Sequence, residues 1–305
     1  MIDLTKIASP ILLQGGEKTA YRDPAIQYRN GLFYLFYTLV EIDPDGKIYS
    51  YTALSKSNDL LKWTDPRKLT PKDQELNFSS PGNVIRFEEE WILCLQTYPR
   101  QNYTVDQIPR GGDETSRIFI MRSADLEIWS VPKVLRVKGP DVPVENMGRM
   151  IDPYIVEDKD KPGLWWCFYK QSGVSMSYSN DLKTWTYCGN TACGENVCVL
   201  IENDEYILFH SPENGIGVKK SSDLVHWQEW GGLITLGQNN WSWAKGRITA
   251  GAVINLKDVP GIEKYLMFFH GSGPESEEIN FDNNASIGVA WSEDLRAWSW
   301  PGKKS

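Results

Sequence analysis

"SNDLLKW" at residues 57–63 recurs four more times with small changes: "SADLEIW" at 123–129, "SNDLKTW" at 179–185, "SSDLVHW" at 221–227 and "SEDLRAW" at 292–298. Each copy is Ser-x-Asp-Leu-x-x-Trp. The tryptophans, Trp63, Trp129, Trp185, Trp227 and Trp298, lie 66, 56, 42 and 71 residues apart. One such motif reads as a surface turn with a buried Trp. Five copies describe a repeating unit with loops of variable length.

The segments before each motif share a form. An apolar strand leads to a turn and then to a second strand rich in aromatics: "FYLFYT", "WILCLQTY", "LWWCFYK", "YILFHS" and "YLMFFHG". A third strand, as in "SIGVAWS", runs into the motif; Asp-Leu turns the chain, and Trp opens a fourth. Helical periodicity is scarce, and turn residues punctuate each strand. Four antiparallel strands repeated five times predict an all-β chain, a single five-bladed β-propeller over residues 1–305.

The rest of the composition narrows the function. A formal net charge of -8 and a pI near 5.1 argue against nucleic acid or an anionic membrane as the main partner. No apolar run reaches the ~18 residues of a membrane helix. The N-terminus lacks the basic and apolar regions of a signal peptide, which points to a cytoplasmic chain, or to a periplasmic or secreted one if a leader has been removed. The five cysteines, in no compact framework, read as reduced core thiols.

Aligning the first strand of every unit gives "RDPAIQY", "SPGNVIRF", "IDPYIVE", "GENVCVL" and "TAGAVINL". At one position stand Asp23, Asp152 and Glu195, with Pro81 or Gly82 in blade 2 and Ala250 or Gly251 in blade 5. Innermost strands line the propeller axis, so three acids there would converge on one mouth. Crowded carboxylates raise one another's pKa, a costly arrangement unless used. Asp43-Pro44 and Asp65-Pro66 have no apolar strand following and read as turns, like "DPDG" at 43–46. The long polar connections at 38–50, 96–117 and 271–286 fall on the face of the acids.

Two carboxylates across a cleft suit glycosidic hydrolysis, one protonating the leaving oxygen and the other activating water; a third can hold the acid's pKa up. Residues on different blades favour the wider spacing of an inverting pair. Arg22, Arg149 and Arg247 lie at or just before the heads of blades 1, 3 and 5, suited to tuning an acid or binding substrate hydroxyls or a carboxylate. Trp241 and Trp243 are candidates for a sugar-stacking platform, with packing between blades as the other reading. His210 and His270 close the second strands of blades 4 and 5 and are expected on the funnel face.

Five blades, "RDP" heading blade 1, "DP" heading blade 3 and a Glu in blade 4 resemble glycoside hydrolase family 43 and its five-bladed relatives, over residues 20–300. The resemblance implies Asp23 as general base, Asp152 as pKa modulator and Glu195 as general acid. It implies inverting action on β-xylosides or α-L-arabinofuranosides in oligo- or polysaccharides. No cofactor is required, although a structural calcium near His270 at the axis is implied. The text "GENVCV" departs from the Glu-Gly-Pro common in that family. A glycoside phosphorylase of related fold and a non-catalytic sugar-binding propeller are the alternatives.

Overall fold

The structure, a computed structural model, describes residues 2–107, 114–273 and 284–303. Among them are five antiparallel sheets arranged as blades. Blade 1 runs through Thr19–Arg29, Leu32–Ile42, Ile48–Ser57 and Arg67–Lys68. Blade 2 splits its innermost strand into Phe78–Ser79 and Val84–Phe87, followed by Glu90–Thr97, Ile118–Ser123 and Lys133–Val134. Blade 3 uses Ile151–Glu157, Trp165–Lys170, Val174–Ser179 and Thr186–Thr191; blade 4 uses Glu195–Glu202, Glu205–Ser211, Gly217–Ser221 and Gln228–Glu229. Blade 5 consists of Arg247–Leu256, Lys264–Ser272, Ser286–Ser292 and Trp298–Ser299. The five-bladed, all-β architecture is the expected one. No helix among the described residues is long and apolar enough to cross a membrane.

The N-terminal strand Ile11–Leu13 pairs with Ser286–Ser292, and Val289 N–H donates to the Pro10 carbonyl at 2.8 Å. The start of the chain thus completes the last blade and joins the two ends of the ring. Ile2, Leu4 and Ile7 are buried in the same apolar cluster. Three residues of strand are too short to show periodicity, so this closure is not visible in the sequence.

Sheets bury both faces against neighbours; among the described residues five of six apolar clusters lie one at each junction, and the sixth gathers Ala20, Val40, Ile48, Tyr103 and Ala285. Phe36, Leu54 and Phe78 fill blades 1–2, and Ile118, Ile155 and Trp165 fill blades 2–3. Phe168, Val199 and Leu208 fill blades 3–4; Phe209, Val253 and Met267 fill blades 4–5; Phe33, Leu35 and Phe268 fill blades 5–1. Each fully buried side chain of this size contributes about 1.5–3 kcal/mol of transfer free energy. Consequently the second strands, central in each sheet, are the most apolar. Among the cysteines, all five are free thiols; Cys94, Cys167 and Cys198 are buried.

The repeated motif has a shared geometry. In all five copies the Ser hydroxyl accepts the Asp N–H, and in blades 1, 2 and 5 it also accepts the Leu N–H. The Asp Oδ1 accepts the two N–H groups after the Leu, as in Asp59 with Leu61 (2.8 Å) and Lys62 (3.0 Å). Leu60, Leu126, Leu182, Leu224 and Leu295 are buried at positive φ of 55 to 68°. Trp129, Trp227 and Trp298 return an indole N–H to the carbonyl of the motif Leu at 3.1–3.2 Å. The carboxylate caps the turn, the Leu fills the blade, and the Trp locks the exit. Its spacing follows from these three jobs.

Candidate active site

Each innermost strand carries a β-bulge near its start, where two residues face one on the second strand. Asp23-Pro24 oppose Tyr37, Asp152-Pro153 oppose Tyr169, Asn196-Val197 oppose His210, and Ala250-Gly251 oppose Phe269. In blade 2 the same place falls at Ser80-Pro81, between the split halves. The first bulge residue is always left-handed: φ is 48° at Asp23, 38° at Ser80, 52° at Asp152, 54° at Asn196 and 54° at Ala250. Such backbone costs of order 1–3 kcal/mol for a residue with a Cβ and persists only when surroundings enforce it.

A circumferential set of hydrogen bonds does the enforcing. The Ser80 N–H donates to Thr38 Oγ1 (2.7 Å), the Asp152 N–H to Gln96 Oε1 (2.5 Å), the Ala250 N–H to Ser211 Oγ (3.0 Å) and the Asp23 N–H to His270 Nδ1 (3.0 Å). In every case the acceptor comes from the second strand of the preceding blade, opposite the residue just before its bulge. At the fifth junction this position is Lys170, a side chain without an acceptor. Lys170 instead donates to Glu195.

The register corrects the sequence alignment in two blades. Ser80, rather than Pro81 or Gly82, is the blade 2 counterpart of Asp23, and Asn196, rather than Glu195, is the blade 4 counterpart. Glu195 stands one residue earlier, level with Arg22, Ser79, Ile151 and Thr249. In blades 1–3 a proline follows the bulge residue and marks the register, whereas in blade 4 Val197 follows it and the mark is lost. Gly82 has a different task. A Cβ there would lie 1.5 Å from the Pro153 carbonyl oxygen, so only glycine permits this contact between blades 2 and 3.

All three acids nevertheless line one cavity of about 240 Å³ at the mouth of the axis, together with Arg22, Arg149, Arg247 and His270. Below the bulge ring, Pro24, Pro81, Pro153, Val197 and Ala252 narrow the axis to a space of about 20 Å³. The cavity also takes in Tyr98, Gln96, Arg100 and Asn77, which the sequence pattern gave no reason to single out. Gln96 lies on the second strand opposite Ser79, the residue just before the bulge, so its place can be read from the register of the repeat. Parts of two long connections, 108–113 and 274–283, lie outside the described residues.

The acids differ sharply in surroundings. Asp23 Oδ2 accepts from the Thr38 and Ser80 hydroxyls, each at 2.9 Å, while Oδ1 lies 3.4 Å from His270 Nδ1. Glu195 is an ion-pair centre: Lys170 Nζ binds Oε2, and Arg247 Nη2 binds Oε1 at 2.6 Å. Burial pushes the Glu195 carboxyl up, but Lys170 and Arg247 outweigh it and hold the pKa below the ordinary value. Asp152, 8% exposed, is pushed the other way, up to about 8. Burial is the main cause, followed by the charges of Glu195 and Asp23; Lys170 and Arg149 oppose them. These surroundings favour the ionised form of Glu195 and the neutral form of Asp152.

Three expected ligand-binding groups are not at this cavity. Trp241 and Trp243 stack on each other (5.3 Å between centroids) and on Phe269 (6.1 and 5.9 Å), within the cluster joining blades 4 and 5. Their faces serve packing, the other reading of the pair. His210 is buried at 4% exposure, accepts the Gly194 N–H at Nδ1 (2.9 Å), and has its pKa lowered to about 4, chiefly by burial. It falls inside the bulge, opposite Asn196-Val197, which turns it away from the axis.

His270 does line the cavity, but its Nδ1 is spent on the Asp23 amide. Among the described residues, no group of three or more His, Cys, Asp or Glu side chains could hold a metal ion. Through Nδ1 the His270 ring is the blade 5 counterpart of Thr38 and Gln96. "DPDG" at 43–46 forms a hairpin turn, with the Gly46 N–H donating to Asp43 O at 2.9 Å and Gly46 at φ 79°.

No protein-family model and no curated protein matches the chain. Solved structures do. The catalytic domain of the Coprinopsis cinerea GH62 alpha-L-arabinofuranosidase aligns with a TM-score of 0.66 at 15% identity, covering 94% of this chain and 96% of that one. An exo-1,5-alpha-L-arabinanase from a bovine ruminal metagenomic library aligns at 0.60 and 14%, covering 98% and 99%. A thermostable family-43 glycoside hydrolase aligns at 0.60 and 13%, covering 95% of each. Over nearly its whole length, the chain has the five-bladed propeller fold found in family-43 and family-62 glycoside hydrolases.

Proposed function

We propose that the protein is a glycoside hydrolase acting on oligo- or polysaccharide glycosidic bonds at the Asp23–Asp152–Glu195 cavity. The observation that carries this reading is electrostatic. One cavity holds a carboxyl group pushed to its neutral form beside two other acids, the pairing that acid/base cleavage of an acetal requires. The fold relatives, an arabinofuranosidase and an arabinanase among them, support the same class.

The division of labour differs from the one implied by resemblance. A carboxylate bonded to both an ammonium and a guanidinium is poorly suited to holding a proton, which speaks for a donor other than Glu195. We assign the proton to Asp152, which delivers it to the leaving oxygen. Asp23, oriented by Thr38 and Ser80, acts as the base that activates water, with inversion at the anomeric carbon. Glu195 then supplies the negative field that keeps Asp152 protonated, fixed in place by Lys170 and Arg247.

The test is release of reducing ends from a panel of aryl glycosides and oligosaccharides, with and without inorganic phosphate. Turnover without phosphate is expected. Asp23→Asn and Asp152→Asn should each lower kcat/KM by roughly 10²–10⁴, the range for a positioned acid or base. Cleavage that requires phosphate would favour a phosphorylase, and wild-type rates in both variants would remove the site assignment.

A further inference from the structure

The cavity contains four arginines: Arg22, Arg100, Arg149 and Arg247. This is a cationic lining within a protein whose net charge is -8. Glu195 is matched by Lys170 and Arg247, and Asp152 is driven toward its neutral form. Sugar hydroxyls are well served by Asp, Asn, Gln and backbone groups. A guanidinium is matched geometrically to a carboxylate, which it can bind through two parallel N–H bonds.

Arg149 is the most informative of the four. Its contacts are to Tyr98: Nη2 donates to the phenol oxygen at a long 3.4 Å, and the guanidinium carbon sits 5.5 Å from the ring centroid. Its Nε is buried and has no hydrogen-bond partner among the described residues. An unsatisfied buried donor is costly, and the cost is recovered if a ligand brings the acceptor. Tyr98 also carries Arg100 over its ring at 4.7 Å, so one aromatic supports two guanidinium groups beside the catalytic acids.

We infer that the substrate is an anionic carbohydrate, a uronosyl-containing glycoside whose carboxylate is received by Arg149. The inference rests on the hydrolase reading for calling the ligand a substrate, but not for its binding. It also connects with the chemistry. Arg149 is one of the groups that lower the pKa of Asp152. A bound carboxylate cancels that field, so Asp152 holds its proton more firmly once the substrate is seated.

The experiment is calorimetric titration at fixed ionic strength with the methyl glycosides of D-glucuronate and D-galacturonate, with their methyl esters, and with inorganic phosphate alone. The ester keeps the sugar's shape and removes its charge. At least one acid should bind tenfold or more tightly than its ester, and Arg149→Met should abolish the difference. Arg149→Gln is the second variant, should the first fail to fold. Equal affinity for acid and ester, binding of neither acid, or an unchanged preference in the variants overturns the inference. So does phosphate binding through Arg149 with no uronoside binding, which identifies the oxyanion as phosphate. Acid-selective binding without cleavage of any uronoside would count against the hydrolase reading while leaving the anion site standing.

Discussion

The Asp23 backbone N–H donates to His270 Nδ1 at 3.0 Å across the junction of the first and last blades. This bond holds a left-handed backbone in the site, at the seam where the ring is closed. His270 is therefore a positioning residue. His270→Ala leaves a buried amide without an acceptor, at a cost of about 1–3 kcal/mol in stability. Because Gln96 performs the same task for Asp152, His270→Gln should restore most of that loss. Urea unfolding of the two variants checks the stability; kcat should fall more than KM changes in His270→Ala and recover in His270→Gln.

The turn aspartates make a separate prediction in acid. Asp181 accepts the Lys183 and Thr184 N–H groups at 2.8 and 2.7 Å, and these bonds lower its pKa to about 2. The folded value lies below the unfolded one of ~3.9, so its stabilisation is complete above that pH and fades as the pH falls toward 2. Asp181→Ala should cost about 0.5–2 kcal/mol near neutrality, as for a lost cap. Asp181→Asn keeps an acceptor but does not titrate. Its melting temperature should fall less steeply between pH 4 and 2 than that of the parent, as differential scanning calorimetry can measure.

Deleting residues 2–13 removes the strand that completes blade 5 together with the buried Ile2, Leu4 and Ile7. Residues 286–290 would then present an unpaired edge, a template for intermolecular pairing, while Trp298–Ser299 still covers Trp291 and Ser292. We expect a lower melting temperature and concentration-dependent association in analytical ultracentrifugation. A monomeric deletion variant with parental stability would show that the strand contributes no closure.

The propeller was legible because its signal is redundant: five Ser-x-Asp-Leu-x-x-Trp turns, each with a Leu at positive φ, leave little freedom in the fold. Asp23 and Asp152 were legible for a local reason, since the proline behind each marks the bulge. Glu195 and Asn196 are adjacent polar residues with no such mark, and a shift of one residue moves a side chain to a different face. Lys170 could not be foreseen as the partner of Glu195, because that pairing depends on a bulge register fixed by packing. Trp241 and Trp243 are similar: their composition suits a sugar platform, and only tertiary contact with Phe269 reveals that their faces are occupied.

The central claim is that Asp152 carries the catalytic proton, and the pH dependence of kcat/KM on a cleaved substrate tests it most directly. This profile reports ionisations of the free enzyme. A group with a raised pKa that works in its protonated form gives activity below that value and loses it above. The account predicts a rate that falls as the pH rises through about 8. A rate flat through that range, or one already lost near the ordinary carboxylate value of ~3.9, would contradict it.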